Sequence, residues 1–136
     1  DGIVAVHGTP ARDTEYLLED ALDGRLHLAA PGVVRSRLEG IEASLVVCGH
    51  SHHQPAAMVS RDLLVVNPGS VGHPRAAGND DPDANEAGSP HARYALVTRE
   101  GSRWAVTFHA LAYDWDAVVE RARATGFEEW ARGFVP

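Results

Sequence analysis

The sequence predicts an α/β domain, and three observations carry that expectation. Short aliphatic runs rich in β-branched residues stop abruptly at glycine or histidine, as buried strands entering turns do. Between these runs lie stretches with apolar residues at helical spacing. Hydrophobic residues make up 44% and charged residues 23% of the 136 positions, the composition of one soluble globular domain. Folding at this length buries about two thirds of the surface the unfolded chain exposes, so a core forms without disulfides. The lone cysteine, Cys48, agrees, since one thiol builds no internal framework.

Residues 3–6 read as a buried strand ending in His7-Gly8-Thr9-Pro10. Residues 13–22 place Tyr16, Leu17, Ala21 and Leu22 at helical spacing, with Asp13 or Thr14 as the cap, and predict a helix. A second helix is expected over 33–38, closed by Gly40. Residues 45–48 form the next buried strand, stopped by Gly49 and a cluster of histidines. The runs 57–59 and 63–66 flank Ser60-Arg61-Asp62, a turn of hairpin length, and the second run enters Asn67-Pro68-Gly69-Ser70. Residues 76–90 lose hydrophobic pattern and gain Gly, Asn, Asp and Pro, which predicts a surface loop. A second hairpin with aromatic partners pairs 94–97 with 104–108. A helix over 114–124 carries Val118, Val119 and Ala122 on one side, and Gly126 closes it before a helical tail over 128–134.

Charge removes several functions. Nineteen acidic against twelve basic side chains give a net charge of -7, which argues against bulk, sequence-independent nucleic-acid binding. All twelve basic residues are arginine, so a Schiff-base lysine, a lysine general base and a P-loop lysine are excluded. The aliphatic runs fall far short of the roughly 20 residues that span a bilayer, and no basic segment followed by a longer apolar one opens the chain. A cytoplasmic location without membrane association is the expectation. The only methionine is Met58, and a core strand begins within two residues of Asp1, so an upstream segment of a longer polypeptide is expected as well.

Eight histidines are present, five of them between His50 and His91. His7 and His50 each follow a buried strand directly, and in sheets flanked by helices ligands gather outside the carboxyl ends of strands. An extended backbone through Gly49-His50-Ser51-His52-His53 would turn His50 and His52 to one side and Ser51 and His53 away. Imidazole is the commonest protein metal ligand near neutral pH, and Gly8 and Gly49 let the backbone approach an ion closely. Three nitrogen donors from two strand ends make a metal half-site; a polar loop is the alternative. His27, His91 and His109 lack this context and read as exposed or hydrogen-bonded side chains.

Gly49-His50-Ser51-His52, followed after a hairpin by Val66-Asn67-Pro68-Gly69-Ser70-Val71-Gly72 and Pro74-Arg75, resembles the calcineurin-like metallophosphoesterases, in particular their small bacterial phosphodiesterase branch. Val6-His7-Gly8-Thr9-Pro10 is similar to that family's His-Gly strand end, and the order of the three motifs agrees. Ser51 stands where the family has threonine. The resemblance covers nearly the whole chain and implies a four-layer α/β/β/α sandwich, of which this chain is the C-terminal part. It implies hydrolysis of phosphomono- or phosphodiesters, in small molecules or nucleotides, by a hydroxide bridging two divalent ions. Manganese, iron, zinc, nickel and cobalt all suit such ligands. By motif position His7 and His50 would bind one ion and His52 the other, with Ser70 and Arg75 as substrate-side candidates.

The family's remaining ligands come from an early Asp-x-His, a Gly-Asp-x-x-Asp and a Gly-Asn-His-Asp or Glu, the last supplying the catalytic histidine. None occurs here; Gly78-Asn79-Asp80-Asp81 lacks the histidine and lies after Gly49-His50. The missing groups, the catalytic histidine included, are therefore expected on an upstream half of the same fold, and the isolated chain is expected to bind metal weakly and turn over poorly. Two other readings are weighed. A non-catalytic scaffold or interaction module would keep the fold without the metal chemistry. A metallo-β-lactamase site needs Asp and His where Gln54 and Pro55 follow His53, and it fails at both positions. The acidic residues Asp80, Asp81, Asp83 and Glu86 lack EF-hand spacing and read as solvated loop charges.

Overall fold

Alternation of side chains along a few short strands decides the architecture. In the computed structural model, which describes residues 2–74 and 88–134, the elements run β1 (Ile3–Ala5), β2 (Glu19–Leu22), β3 (Arg25–Leu28), α1 (Pro31–Arg37), β4 (Leu45–Val47), β5 (Ala56–Ser60), β6 (Leu63–Val66), β7 (Ala92–Glu100), β8 (Arg103–Leu111), α2 (Trp115–Ala124) and α3 (Glu128–Arg132). The main sheet has the order β1-β4-β6-β5. Its β1, β4 and β6 are parallel, with Val46 between Val4 and Val65, and β5 returns antiparallel to β6. The chain is thus the mixed α/β fold expected from its sequence.

Period two sends successive side chains to opposite faces of the sheet. Val46, Cys48 and Val65 meet Val34 and Leu38 of the α1 segment and Leu17 and Leu18 on one face. Leu45, Leu64 and Val66 meet Ala95, Val97, Trp104 and Val106 of the β7–β8 ribbon on the other. Helix, sheet and ribbon form successive layers. A separate apolar cluster of Val119, Ala122, Ala131 and Phe134 joins α2 to α3.

Pro31 opens α1 at a position whose N–H has no helical partner in any case. Arg35 and Arg37 lie in its last turn, beside the negative end of the helix dipole. Arg35 donates to the Val59 carbonyl at 2.6 Å, and Arg37 to the carbonyls of Leu17 and Glu19 at 3.2 Å each and to the Asp20 carboxylate. These contacts fasten α1 to β5, to β2 and to the segment just before β2.

The helix expected over 13–22 does not form. Leu17 and Leu18, each only 1% exposed, enter the core from a non-helical segment that leads directly into β2. Leu22 instead pairs with Arg25 across Asp23-Gly24, where both residues have positive φ, 53° and 72°. A two-residue hairpin loop of the Asp-Gly kind demands that conformation. The other expected strands, hairpins and helices form near their expected bounds; the expected loop over 76–90 lies mostly outside the described residues.

Candidate functional site

Hydrogen bonding between β1 and β4 continues past both strand ends. The Val6 N–H donates to the Val47 carbonyl at 2.9 Å, and the Gly49 N–H to the His7 carbonyl at 2.7 Å. His7 and His50 therefore leave neighbouring strand ends together, their ring centroids 5.1 Å apart and edge to face. The Tyr16 ring lies 4.8 Å from that of His50. Gly8 is needed for a reason other than closeness to an ion. A Cβ there would sit 2.4 Å from the Glu15 carbonyl oxygen and 2.8 Å from those of Arg12 and Asp13, so the returning turn leaves no room for a side chain.

Beyond Gly49 the backbone is not extended. His50 and His52 both adopt left-handed conformations, with φ of 73° and 62°, so alternation along a strand does not set their directions. Left-handed backbone costs a residue with a Cβ of order 1–2 kcal/mol, and it persists where neighbours hold it. Asn67, at the end of β6 and 1% exposed, does so: its Nδ2 donates at 2.9 Å to both the Gly49 carbonyl and the Ser51 hydroxyl. Its Oδ1 accepts from the Gly69 N–H at 3.0 Å. Gln54 Nε2 reaches the carbonyls of Pro68, Tyr94 and His109 at 3.1 to 3.3 Å, fastening the loop to the β7–β8 ribbon.

His53 turns to β2. Its Nδ1 lies 2.8 Å from Oε1 of Glu19, a carboxylate only 5% exposed. The nearby Cys48 thiol is pushed up to about 12, first by burial and then by the negative charge of Glu19. Sequence reasoning assigned Glu19 no role, because the predicted helix hid the Asp23-Gly24 turn that defines β2. It also read Asn67 only as the entry to a turn, whereas the side chain clamps the histidine loop.

Ser70 accepts from the Gly72 N–H at 3.2 Å through its hydroxyl, and from the Arg93 N–H at 2.8 Å through its carbonyl. Arg93 is largely buried, donates to Ser89 and His91, and has its pKa lowered by desolvation. Arg75 lies outside the described residues, as do Gly78 to Asp81, Asp83 and Glu86. His27 is exposed, His91 packs against Trp115, and His109 stacks on Tyr94 with centroids 4.7 Å apart.

As a metal centre this donor set is partial. Imidazoles suit a divalent ion of the transition series, and His7 with His50 offers two from adjacent strand ends. Among the described residues, however, no three or more His, Cys, Asp or Glu side chains are grouped to hold an ion. The structure does not gather His52 with His7 and His50 into such a set, and Glu19 is engaged with His53.

The family described as the calcineurin-like phosphoesterase superfamily domain matches residues 3–81. Two solved structures share the fold. The metallophosphoesterase from Sphaerobacter thermophilus aligns over 98% of this chain and 56% of its own, with 22% identity and a TM-score of 0.62. A hypothetical protein from Pyrococcus horikoshii OT3 aligns over 95% of this chain and 44% of its own, with 21% identity and a TM-score of 0.64. The chain thus spans about half the length of these structures. No curated protein matches it. No helix among the described residues is long and apolar enough to cross a membrane.

Proposed function

Because this chain belongs to the calcineurin-like phosphoesterase superfamily, we propose that it is part of a divalent-metal-dependent phosphoester hydrolase and that His7, His50 and His52 are its metal donors. The adjacency of the His7 and His50 rings, fixed by the bond from Gly49 to His7, carries this reading. Neutral imidazoles bring no charge to offset a divalent ion, so the anionic ligands and the catalytic histidine come from an upstream half of the same fold. The half-length match to both solved structures supports that arrangement. The 136-residue chain is then the C-terminal part of one domain.

When bound, manganese, iron, zinc, nickel or cobalt would supply polarisation of the phosphoryl oxygens and acidification of an attacking water. The chain's own residues do the positioning. Asn67 holds the backbone around His50 and His52, and Gln54 fixes the ribbon beside it. Ser70, whose hydroxyl accepts from Gly72 and retains a proton to donate, is the substrate-side contact, with Arg75 as a bidentate phosphate partner. The substrate is a small phosphomono- or phosphodiester or a nucleotide. A lone buried thiol suits a reducing, cytoplasmic setting.

The lack of a three-donor group among the described residues favours a second reading, a scaffold that keeps the fold without the chemistry. Alanine at His7, His50 or His52, each made in the longest natural polypeptide that contains this chain, separates the two. Manganese-dependent hydrolysis of a nitrophenyl phosphodiester should be abolished in all three variants. No manganese-dependent hydrolysis by the unsubstituted polypeptide assigns the scaffold role, and unchanged rates in all three variants remove these histidines as donors.

A further inference from the structure

We propose that Glu19 is a positioning residue, whose buried carboxylate acts through His53 to set the backbone that carries His50 and His52. The argument begins with the two left-handed histidines. Each is flanked by a residue that is tied down: Gly49 and Ser51 by Asn67, His53 by Glu19, and Gln54 by its own amide. Asn67 grips the loop before His52. Glu19 grips it after, so His52 lies between two anchors that belong to different elements.

The chemistry of the Glu19 contact suits that task. A carboxylate accepts, so the proton lies on Nδ1 of His53, and the bond fixes both the tautomer and the ring orientation. At 5% exposure Glu19 exchanges this partner for water only if β2 moves. β2 is itself held, because Arg37 of α1 donates to the Glu19 carbonyl and to the Asp20 carboxylate. A continuous run of contacts thus joins α1, β2 and the histidine loop.

The inference rests on the metal-donor reading for its purpose, and its test is independent of that reading. Amide exchange and the imidazole resonances of His7, His50 and His52 are followed by NMR in the wild type, Glu19→Ala and Glu19→Gln, with zinc ion alone as the metal probe. Glutamine still accepts from Nδ1, and the wild-type pattern should return with it. In Glu19→Ala the Ser51 amide, which donates to Gly49 at 2.9 Å, should exchange at least about tenfold faster while Val46 and Val65 stay protected. Zinc affinity should fall by about tenfold, the low end of the range for a disturbed supporting shell, because Glu19 acts on the donors through His53 and not by direct contact.

A merely structural Glu19 would raise exchange at Ser51, Val46 and Val65 by the same factor, and that result overturns the proposal. So does a Glu19→Ala protein with Ser51 within about twofold of wild type. If Glu19→Ala does not fold, Glu19→Leu combined with His53→Leu removes both polar partners at little stability cost; a native histidine loop in that variant overturns the proposal equally. If the longest natural polypeptide that contains this chain takes up no zinc, that counts against the metal reading alone, and the exchange data still decide the role of Glu19.

Discussion

Around His7 and His50 the chain is held by hydrogen bonds between residues far apart in sequence, whereas α2 and α3 hold each other through near neighbours and one small apolar cluster. Asn67 reaches Gly49 and Ser51, Gln54 reaches Tyr94 and His109, and Glu19 reaches His53. In the helix pair Asp114 caps α2 by accepting from Ala117 at 3.2 Å, Phe127 donates back to Ala122 at 2.9 Å, and Phe134 fills the space against Val119 and Ala131. Phe127 and Trp130 remain exposed there. Buried polar ties fix one geometry and tolerate little rearrangement, because each lost partner strands a group in a dry site. Apolar contacts among a few side chains contribute stability and specify position more loosely. The contrast fits the proposed use, since aiming metal donors needs the first kind of support.

The largest effect should come from the apolar end. Phe134→Ala removes a ring that is 1% exposed and should cost about 3–5 kcal/mol. Hydrogen exchange should place that loss in α2 and α3 while β4 keeps its protection; equal loss in β4 would show that the two regions unfold as one unit. Asn67→Ala should cost about 3 kcal/mol in urea unfolding, since it strands the Gly49 carbonyl and removes the Gly69 donor's partner. Here protection should fall first at Ser51, and loss confined to α2 would reverse the comparison. The smallest effect, taken over the first pH unit above 9, is pH-dependent. Folding raises the Cys48 thiol from its ordinary 9.0 to about 12. Below pH 9 the thiol is protonated in both states and this contribution is fully present. Above pH 9 the unfolded chain ionises first, and stability falls by about 1.4 kcal/mol per pH unit until the folded value is reached. Cys48→Ala should flatten that slope, and an unaltered slope would assign the loss to other groups.

The strand ends that carry His7 and His50 were legible in the sequence, because β-branched runs stopped by glycine report local structure directly. The two hairpins and the C-terminal helices were legible for the same reason. Residues 13–22 misled because Tyr16, Leu17, Ala21 and Leu22 satisfy helical spacing, while the decisive signal was two residues long, Asp23-Gly24. The direction of His52 was not readable at all. Its left-handed backbone is imposed by Asn67 and Glu19, which lie on other elements, and no local window contains those partners. The anchoring of Gln54 escaped likewise, since its acceptors are Pro68, Tyr94 and His109.

The parallel register that sets Ile3 beside Leu45 has a kinetic consequence. The β7–β8 ribbon joins residues close in sequence and can form early, whereas β1 must wait until the long intervening segment has closed a loop whose entropy is spent before any contact repays it. His7 rides on β1. The two histidine rings are therefore expected to meet late in folding, and pulse-labelled hydrogen exchange that protects Val65 before Val6 would check that order.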